Sequence, residues 1–381
     1  MKVIVLGAGL VGGPMAIDLS KDKNFEVTLA DIRRENLEQV AKNHAISVVE
    51  KDLSDPAGVR KLVSDYDMVV NAVPGFMGFQ TLRAIIEAGK NVVDIAFFIE
   101  DPFQLDELAK KMKVTAIMDI GVAPGMCNVL IGYADHLLDE TEQVVYYVGG
   151  LPQLREWPWE YKAVFSPIDV IEEYTRPARY IENGRMVVKP ALSDPELIHF
   201  PGVGTLEAFN TDGLRSLAST IHCPNMKEKT LRYPGHIEKM RVLRELGLFG
   251  STPIAVKGQM VRPIDLTAQL LFPKWKLKEG EVDITVMQVM VEGKKEGRQI
   301  RYTWDLLDTY DAQTGIHSMA RTTGYTATVA LRMIASGLYT RKGIIVPEYI
   351  GQEPECVDFL LNGLKERGVV YSFTRSEPGE Q

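Results

Sequence analysis

The run Gly7-Ala8-Gly9-Leu10-Val11-Gly12 spaces three glycines as G-x-G-x-x-G, directly after a β-branched run and ahead of a helical period. Each glycine has its own duty in such a turn: Gly7 permits the tight bend, Gly9 lets backbone approach a pyrophosphate, and Gly12 lets helix and strand pack closely. The helix start that follows offers unpaired N–H groups to an anion. Asp31 stands 19 residues beyond Gly12, at the end of the next strand-like run, where a carboxylate accepts hydrogen bonds from adenosine ribose hydroxyls. The chemistry is dinucleotide binding, with Gly7, Gly9, Leu10, Val11 and Gly12 at the phosphates and Asp31, Ile32 and Arg33 at the ribose. An acid at position 31 repels a 2′-phosphate and favours NAD, while Arg33 and Arg34 could contact one, so NADP is the alternative. Asp52 and Leu53 follow the third run and are placed at the adenine. Asn71, Ala72 and Pro74 follow the fourth, at the sheet edge where ligands bind. A glycine loop that merely turns the chain is the competing reading, and it leaves Asp31 to accident.

Other residues could transfer protons or grip a substrate. Asp94 and Asp119 end or follow strand-like runs on the same edge and are candidate catalytic carboxylates, against the plainer reading as turn caps. His236 titrates near neutrality and is the third catalytic candidate, against a structural histidine. Arg215, in the polar stretch Asn210-Thr211-Asp212-Gly213-Leu214-Arg215-Ser216, has the planar fork that matches a substrate carboxylate; a surface ion pair is the bland alternative. Asn210, Asp212 and Tyr174 complete the expected substrate-binding set. No metal cluster and no Ser-His-Asp set is read from the spacing, and hydride transfer needs neither.

The elements that must position these residues follow from periodicity. Runs at 3–6, 27–30, 47–49, 68–71, 91–95 and 115–119 alternate with helical periods such as 35–42 and 56–63, which predicts βαβ units. The fold class is α/β: an N-terminal Rossmann domain with a doubly wound parallel sheet, then a second α+β domain with a mixed or antiparallel sheet. The expected domains are 1–125 for NAD(P) binding, 126–325 for substrate and dimerisation, and a helical segment 326–381 packing back on the first. Stretches 143–148 and 282–305 read as strands of the second domain, the latter as a hairpin with a charged turn at 292–298.

Composition narrows the class. The 381 residues exceed one ordinary core, and 45% apolar with 25% charged is an ordinary globular balance. A net charge of −8 disfavours a polyanion surface, so no nucleic-acid partner is expected; Lys110, Lys111 and Lys113 read as a solvated helix face. There is no apolar run of the roughly 18 residues a membrane span needs. Three dispersed cysteines suit a reducing compartment, so the expectation is a cytoplasmic protein, homodimeric by the commonest symmetry.

Several segments together resemble the saccharopine dehydrogenase superfamily, in particular its lysine 6-dehydrogenase-like branch: 7–12, DIGVAPGM at 119–126, YVGGLP at 147–152, 165–184, EAFNTDGLRSL at 207–217, 231–247 and RTTGYTA at 321–327. The resemblance implies an NAD(P)-dependent oxidation of L-lysine at its ε-amino carbon, with ammonia released and the aldehyde cyclising to piperideine carboxylate. Saccharopine reductases read N-R-D-S where this chain has Asn210-Thr211-Asp212-Gly213, and G-x-D-P-G where it has Ala123. The arginine that grips the glutamate part of saccharopine is therefore absent at 211, which favours the smaller substrate. A saccharopine-type reductase joining lysine and an oxo acid is the alternative, and a non-catalytic nicotinamide sensor is the alternative of another class.

Overall fold

Val3, Ile4, Val5 and Leu6 are all fully buried, the continuous apolar run that a strand needs when helices cover both faces of a parallel sheet. The computed structural model describes residues 1–278 and 280–377 and separates into two units. In the first, β1 (Lys2–Leu6), β2 (Glu26–Asp31), β3 (Ile46–Glu50), β4 (Met68–Asn71), β5 (Asn91–Asp94) and β6 (Thr115–Ile117) alternate with α1 (Gly12–Ser20), α2 (Arg34–Ala41), α3 (Pro56–Val63), α4 (Gly75–Glu87), α5 (Asp106–Lys111) and α6 (Met126–Leu137). The strands lie parallel in the order β6-β5-β4-β1-β2-β3, so the order reverses between β1 and β4. The start of α3 shows how locally this is written: Asp55 accepts the N–H groups of Ala57 and Gly58, and Pro56 takes the first helical position, where no N–H is needed.

A seventh parallel strand, Gly343–Ile345, pairs with β6 and brings the later chain back to this unit, which comprises Met1–Leu137 and Met319–Tyr371. The return is fastened by Asp18 on α1, 4% exposed, which accepts from Arg332 Nη1 at 2.7 Å, Arg367 Nε at 2.8 Å and Thr328 Oγ1 at 2.6 Å. The unit boundaries therefore differ from the expected 125 and 325. Helix α6 stays with the parallel sheet because Asn128 binds Gly125 N–H at 3.1 Å and Glu348 at 3.2 Å. A three-residue strand is too short to show a period, so the reading of 326–381 as helical missed it.

The second unit holds a mixed nine-stranded sheet. Its elements are β7 (Glu140–Pro152), α7 (Pro167–Thr175), β8 (Ala178–Glu182), β9 (Arg185–Lys189), β10 (Glu196–Phe200), β11 (Gly204–Asn210), α8 (Leu217–Thr220), β12 (Asn225–Arg232), α9 (His236–Glu245), α10 (Pro263–Trp275), β15 (Asp283–Lys295) and β16 (Arg298–Thr309), with a small separate hairpin of β13 (Ile254–Val256) and β14 (Gln259–Val261). The order is β10-β11-β12-β7-β15-β16 and then Tyr371–Ser376, with β8 and β9 attached at β12. The pair β12 and β7 is parallel, and its neighbours are antiparallel. The charged hairpin turn is tighter than expected: β15 and β16 run to Lys295 and Arg298, leaving Glu296-Gly297 as the turn. Alternation along β12 puts Leu231 into an apolar cluster with Tyr147, Leu151 and Leu206, and sends Glu228, Thr230 and Arg232 to the other face. That second face is polar yet buried, and α7, α9 and α10 pack an aromatic cluster of Tyr161, Tyr174, Phe209 and Trp275 with the sheet residues.

Candidate functional site

The glycine loop of the first unit has the geometry its sequence predicts. Gly7 adopts φ +103°, and a Cβ there would meet the Ala72 carbonyl oxygen at 2.6 Å. A Cβ on Gly12 would meet the Gly7 oxygen at 2.0 Å, whereas one on Gly9 would meet nothing within 4 Å. The helix start at Val11 has no side-chain cap and no acid in its first turn. Close packing at two glycines, open space at the third and an uncapped helix start fit a bound pyrophosphate. Leu10 and Ile32 are exposed apolar side chains, Ala72 and Pro74 remain accessible, and Asn71 does not, being fully buried.

Asp31 ends β2, and both its oxygens accept backbone N–H groups, Ala8 at 2.7 Å and Arg33 at 2.8 Å. Each carboxylate oxygen has a second lone pair, so this fixes the acid in place without closing it. The Arg33 side chain is 68% exposed, while Arg34 is engaged with Glu38 at 2.7 Å and Glu50 at 3.6 Å. Asp52 is exposed and accepts Ser54 N–H at 2.9 Å, which holds its carboxyl below the usual range; Leu53 turns into the core and offers a ligand only backbone.

The carboxylates proposed for catalysis are placed less favourably. Asp94 is fully buried and accepts Asn71 Nδ2 at 2.6 Å and Ala96 N–H at 2.7 Å, so it caps the strand end instead of facing a substrate. Asp119 is 5% exposed in a left-handed conformation, φ +50°, at the entry to the 121–125 loop.

In the second unit, the polar residues of 210–236 form two connected groups. Arg232, 2% exposed, donates through Nη2 to Glu173 at 2.7 Å and through Nε to the Tyr174 hydroxyl at 3.1 Å. His236 Nδ1 lies 2.8 Å from the Trp159 carbonyl, which can only accept, so Nδ1 carries the proton and Nε2 accepts from the Tyr174 hydroxyl at 2.9 Å. Burial, with the Arg232 charge nearby, pushes the imidazole down to about 3, and burial pushes the Tyr174 hydroxyl up to about 12. Both hold one protonation state near neutrality. His236 is thus a fixed neutral link and Tyr174 a core residue; neither takes the catalytic or substrate-contact role expected of it, because their polar atoms are satisfied internally.

The second group surrounds the loop itself. Asp212 is paired through both oxygens with Arg179, at 2.8 and 2.9 Å, and Asn210 donates to Ser193 Oγ at 3.1 Å and Asp194 at 3.0 Å. Both therefore act as loop anchors. Thr211 donates to Glu228 and lies 2.8 Å from Thr230 Oγ1. Arg215 is half-buried with φ +53°, and burial followed by the Arg215 charge lowers the pKa of Arg176, which brings a second guanidinium to this loop. Arg176, Arg179, Glu173, Glu228 and Arg232 were not read from sequence. Glu228, Thr230 and Arg232 recur every second residue, which marks a polar strand face but not a buried one. Among the described residues no group of three or more His, Cys, Asp or Glu is placed to hold a metal, and no helix is long and apolar enough to cross a membrane.

Residues 3–117 match the saccharopine dehydrogenase NADP binding domain, and residues 121–369 the saccharopine dehydrogenase C-terminal domain. The chain belongs to the saccharopine dehydrogenase family. It is 29% identical over 262 residues to the mitochondrial alpha-aminoadipic semialdehyde synthase of Mus musculus, a match covering 65% of this chain and 28% of that protein. It is 23% identical over 449 residues to saccharopine dehydrogenase [NADP(+), L-glutamate-forming] of Saccharomyces cerevisiae, covering 97% of this chain and 98% of that one. The chain spans under half the length of the semialdehyde synthases it matches. In fold it is similar to apo saccharopine dehydrogenase (L-Glu forming) from Saccharomyces cerevisiae, with a TM-score of 0.81, 19% identity and coverage of 98% and 99%. Saccharopine dehydrogenase relatives are NAD(P)-dependent oxidoreductases acting on CH–NH donors.

Proposed function

We propose that this family member is an NAD(P)-dependent oxidoreductase that oxidises L-lysine at its ε-amino carbon and releases ammonia. The observation that carries the reading is Thr211. Where saccharopine reductases of the resembling pattern place an arginine, this side chain is 5% exposed and donates its hydroxyl to Glu228 beneath the loop. Position 211 thus offers no cation to a second carboxylate arm. Arg215 is the residue we assign to the single α-carboxylate of an amino acid, since its fork suits two oxygens.

The nicotinamide ring, when bound, accepts the hydride. The chain's own part is binding and orientation: the uncapped start of α1 meets the pyrophosphate, and Asp31, fixed by Ala8 and Arg33 N–H groups, accepts from the ribose. The domain description and the relatives' names favour NADP over the NAD that Asp31 alone suggested. Exposed Arg33 gives a physical basis for that, since it can meet a 2′-phosphate beside an acid already engaged by backbone amides.

The alternative, a saccharopine-type reaction, is supported by a relative named as L-glutamate-forming that matches along nearly its whole length. One experiment separates them: reduction of NAD and of NADP with lysine or with saccharopine, assaying ammonia and glutamate. Lysine turnover with ammonia is expected. Saccharopine turnover with glutamate and no lysine activity would overturn the lysine reading. Arg215→Ala is expected to raise KM for the amino acid by about thirtyfold, the worth of a charge-assisted bidentate contact, with KM for the cofactor unchanged.

A further inference from the structure

Glu228 lies on β12, 4% exposed, directly beneath the loop that carries Arg215. Its Oε2 accepts from the Thr211 hydroxyl and from Gly213 N–H at 3.2 Å, and its Oε1 accepts from the Thr230 hydroxyl at 3.3 Å. The loop is moulded over this carboxyl: a Cβ at Gly213 would meet Glu228 Cδ and Cγ at 2.5 Å. Two residues later Arg215 is left-handed, φ +53°, a strained conformation that a residue with a side chain keeps only where its surroundings enforce it. We propose that Glu228 is a positioning residue, holding Asn210–Ser216 at both Thr211 and Gly213 in the strained shape that presents Arg215 to the carboxylate of an amino acid. What Arg215 binds rests on the proposed function; that Glu228 shapes the loop does not.

Neighbouring contacts show why the carboxylate is the lever. Asp212 is held from the side by Arg179, and the Gly213 carbonyl accepts the Tyr146 hydroxyl at 2.7 Å, so each fixes one point. Glu228 spans two points with one charged group. The groups around it are Thr230 on its own strand, Thr211 and Gly213 on the loop, Glu173 on α7 and Tyr146, its register partner on β7. Burial raises its carboxyl to about 7, Glu173 adds to the rise, and the hydrogen bonds from Thr211, Thr230 and Gly213 oppose it. Ionised, Glu228 accepts all three donors on open lone pairs; protonated, it gives up acceptor capacity.

The test uses the full chain with Glu228→Gln, which keeps the shape, and Thr211→Val, which removes one donor while leaving the carboxyl. Hydrogen exchange of the 210–216 segment, corrected for intrinsic rate, is measured beside the kinetic constants. Expected is lowered protection of this segment in Glu228→Gln relative to the unmodified protein. KM for the amino acid should rise about tenfold, the worth of one hydrogen bond to a charged group, with kcat and cofactor KM held; Thr211→Val should move the same way by less. Unchanged loop protection in Glu228→Gln overturns the proposal, and so does a loosened loop with an unchanged amino-acid KM. If the unmodified protein oxidises no amino acid, the substrate reading fails, and loop protection alone decides whether Glu228 holds the loop.

Discussion

The glycine loop at Gly7–Gly12 and the polar loop at Asn210–Ser216, the two sites proposed to bind ligands, are built in opposite ways. The first is made of backbone: two glycines packed against main-chain atoms, one facing open space, and an uncapped helix. The second is made of side chains drawn from β7, β8, β11 and β12 and from the loop itself, several of them buried and paired with one another. Backbone sites depend on a few consecutive residues and tolerate little change in them. Side-chain sites depend on distant partners, and the loss of one partner strands the others in a medium that penalises unpaired charge.

The largest expected effect breaks the second region. Arg232→Met leaves the partly buried Glu173 without its cation and the buried Tyr174 without its donor. Removing one member of a buried ion pair costs roughly 3–5 kcal/mol, so the denaturant midpoint should fall steeply, and an unchanged midpoint would show that the pair is not formed. The matching break in the first region is Gly12→Ala. Its Cβ would stand 2.0 Å from the Gly7 oxygen, and overpacking of rigid backbone costs about 1–3 kcal/mol. Gly9→Ala sharpens the comparison: nothing lies within 4 Å of that Cβ, so Tm should hold while cofactor affinity falls. A drop in Tm without a change in affinity would mean that Gly9 serves the fold alone.

This contrast explains what could be read from the sequence. Gly7, Gly9, Gly12 and Asp31 were legible because each answers a local demand at a fixed spacing, and Asp55-Pro56 announced α3 for the same reason. Arg215 was recognisable by type alone. Asp94 and His236 drew attention as titratable groups, yet what they do depends on neighbours remote in sequence. Asn71 is 23 residues from Asp94, and Trp159 is 77 from His236. Glu228 and Arg232 escaped because alternation tells which residues share a face, while only the packing of α7 decides whether that face is wet.

The buried relay also predicts a pH dependence. His236 has a folded-state value of about 3 against an ordinary 6.5, so the unfolded chain binds a proton that the folded protein refuses. Its contribution to stability is present above pH 6.5 and is lost as pH falls towards 3. The slope of one such proton is at most about 1.4 kcal/mol per pH unit. His236→Gln keeps a donor and an acceptor but cannot titrate, and should flatten the stability profile below pH 6.5. If the two profiles run parallel, the imidazole is protonated in the folded state and the relay is wired differently.

The smallest effect tests the rim of the backbone site. Arg33 is 68% exposed and its nearest carboxylate contact, to Asp31, is 3.9 Å, so water screens it and its contribution to the fold is slight. A 2′-phosphate brings two negative charges to the same side chain, and exposed charge contacts amount to about 1 kcal/mol or less. Arg33→Ala should therefore raise KM for NADP by about fivefold and leave that for NAD unchanged, at low salt more than at high. Equal KM changes for both cofactors would place Arg33 on the adenine face, where stacking is blind to the phosphate and Asp31 alone would set the preference.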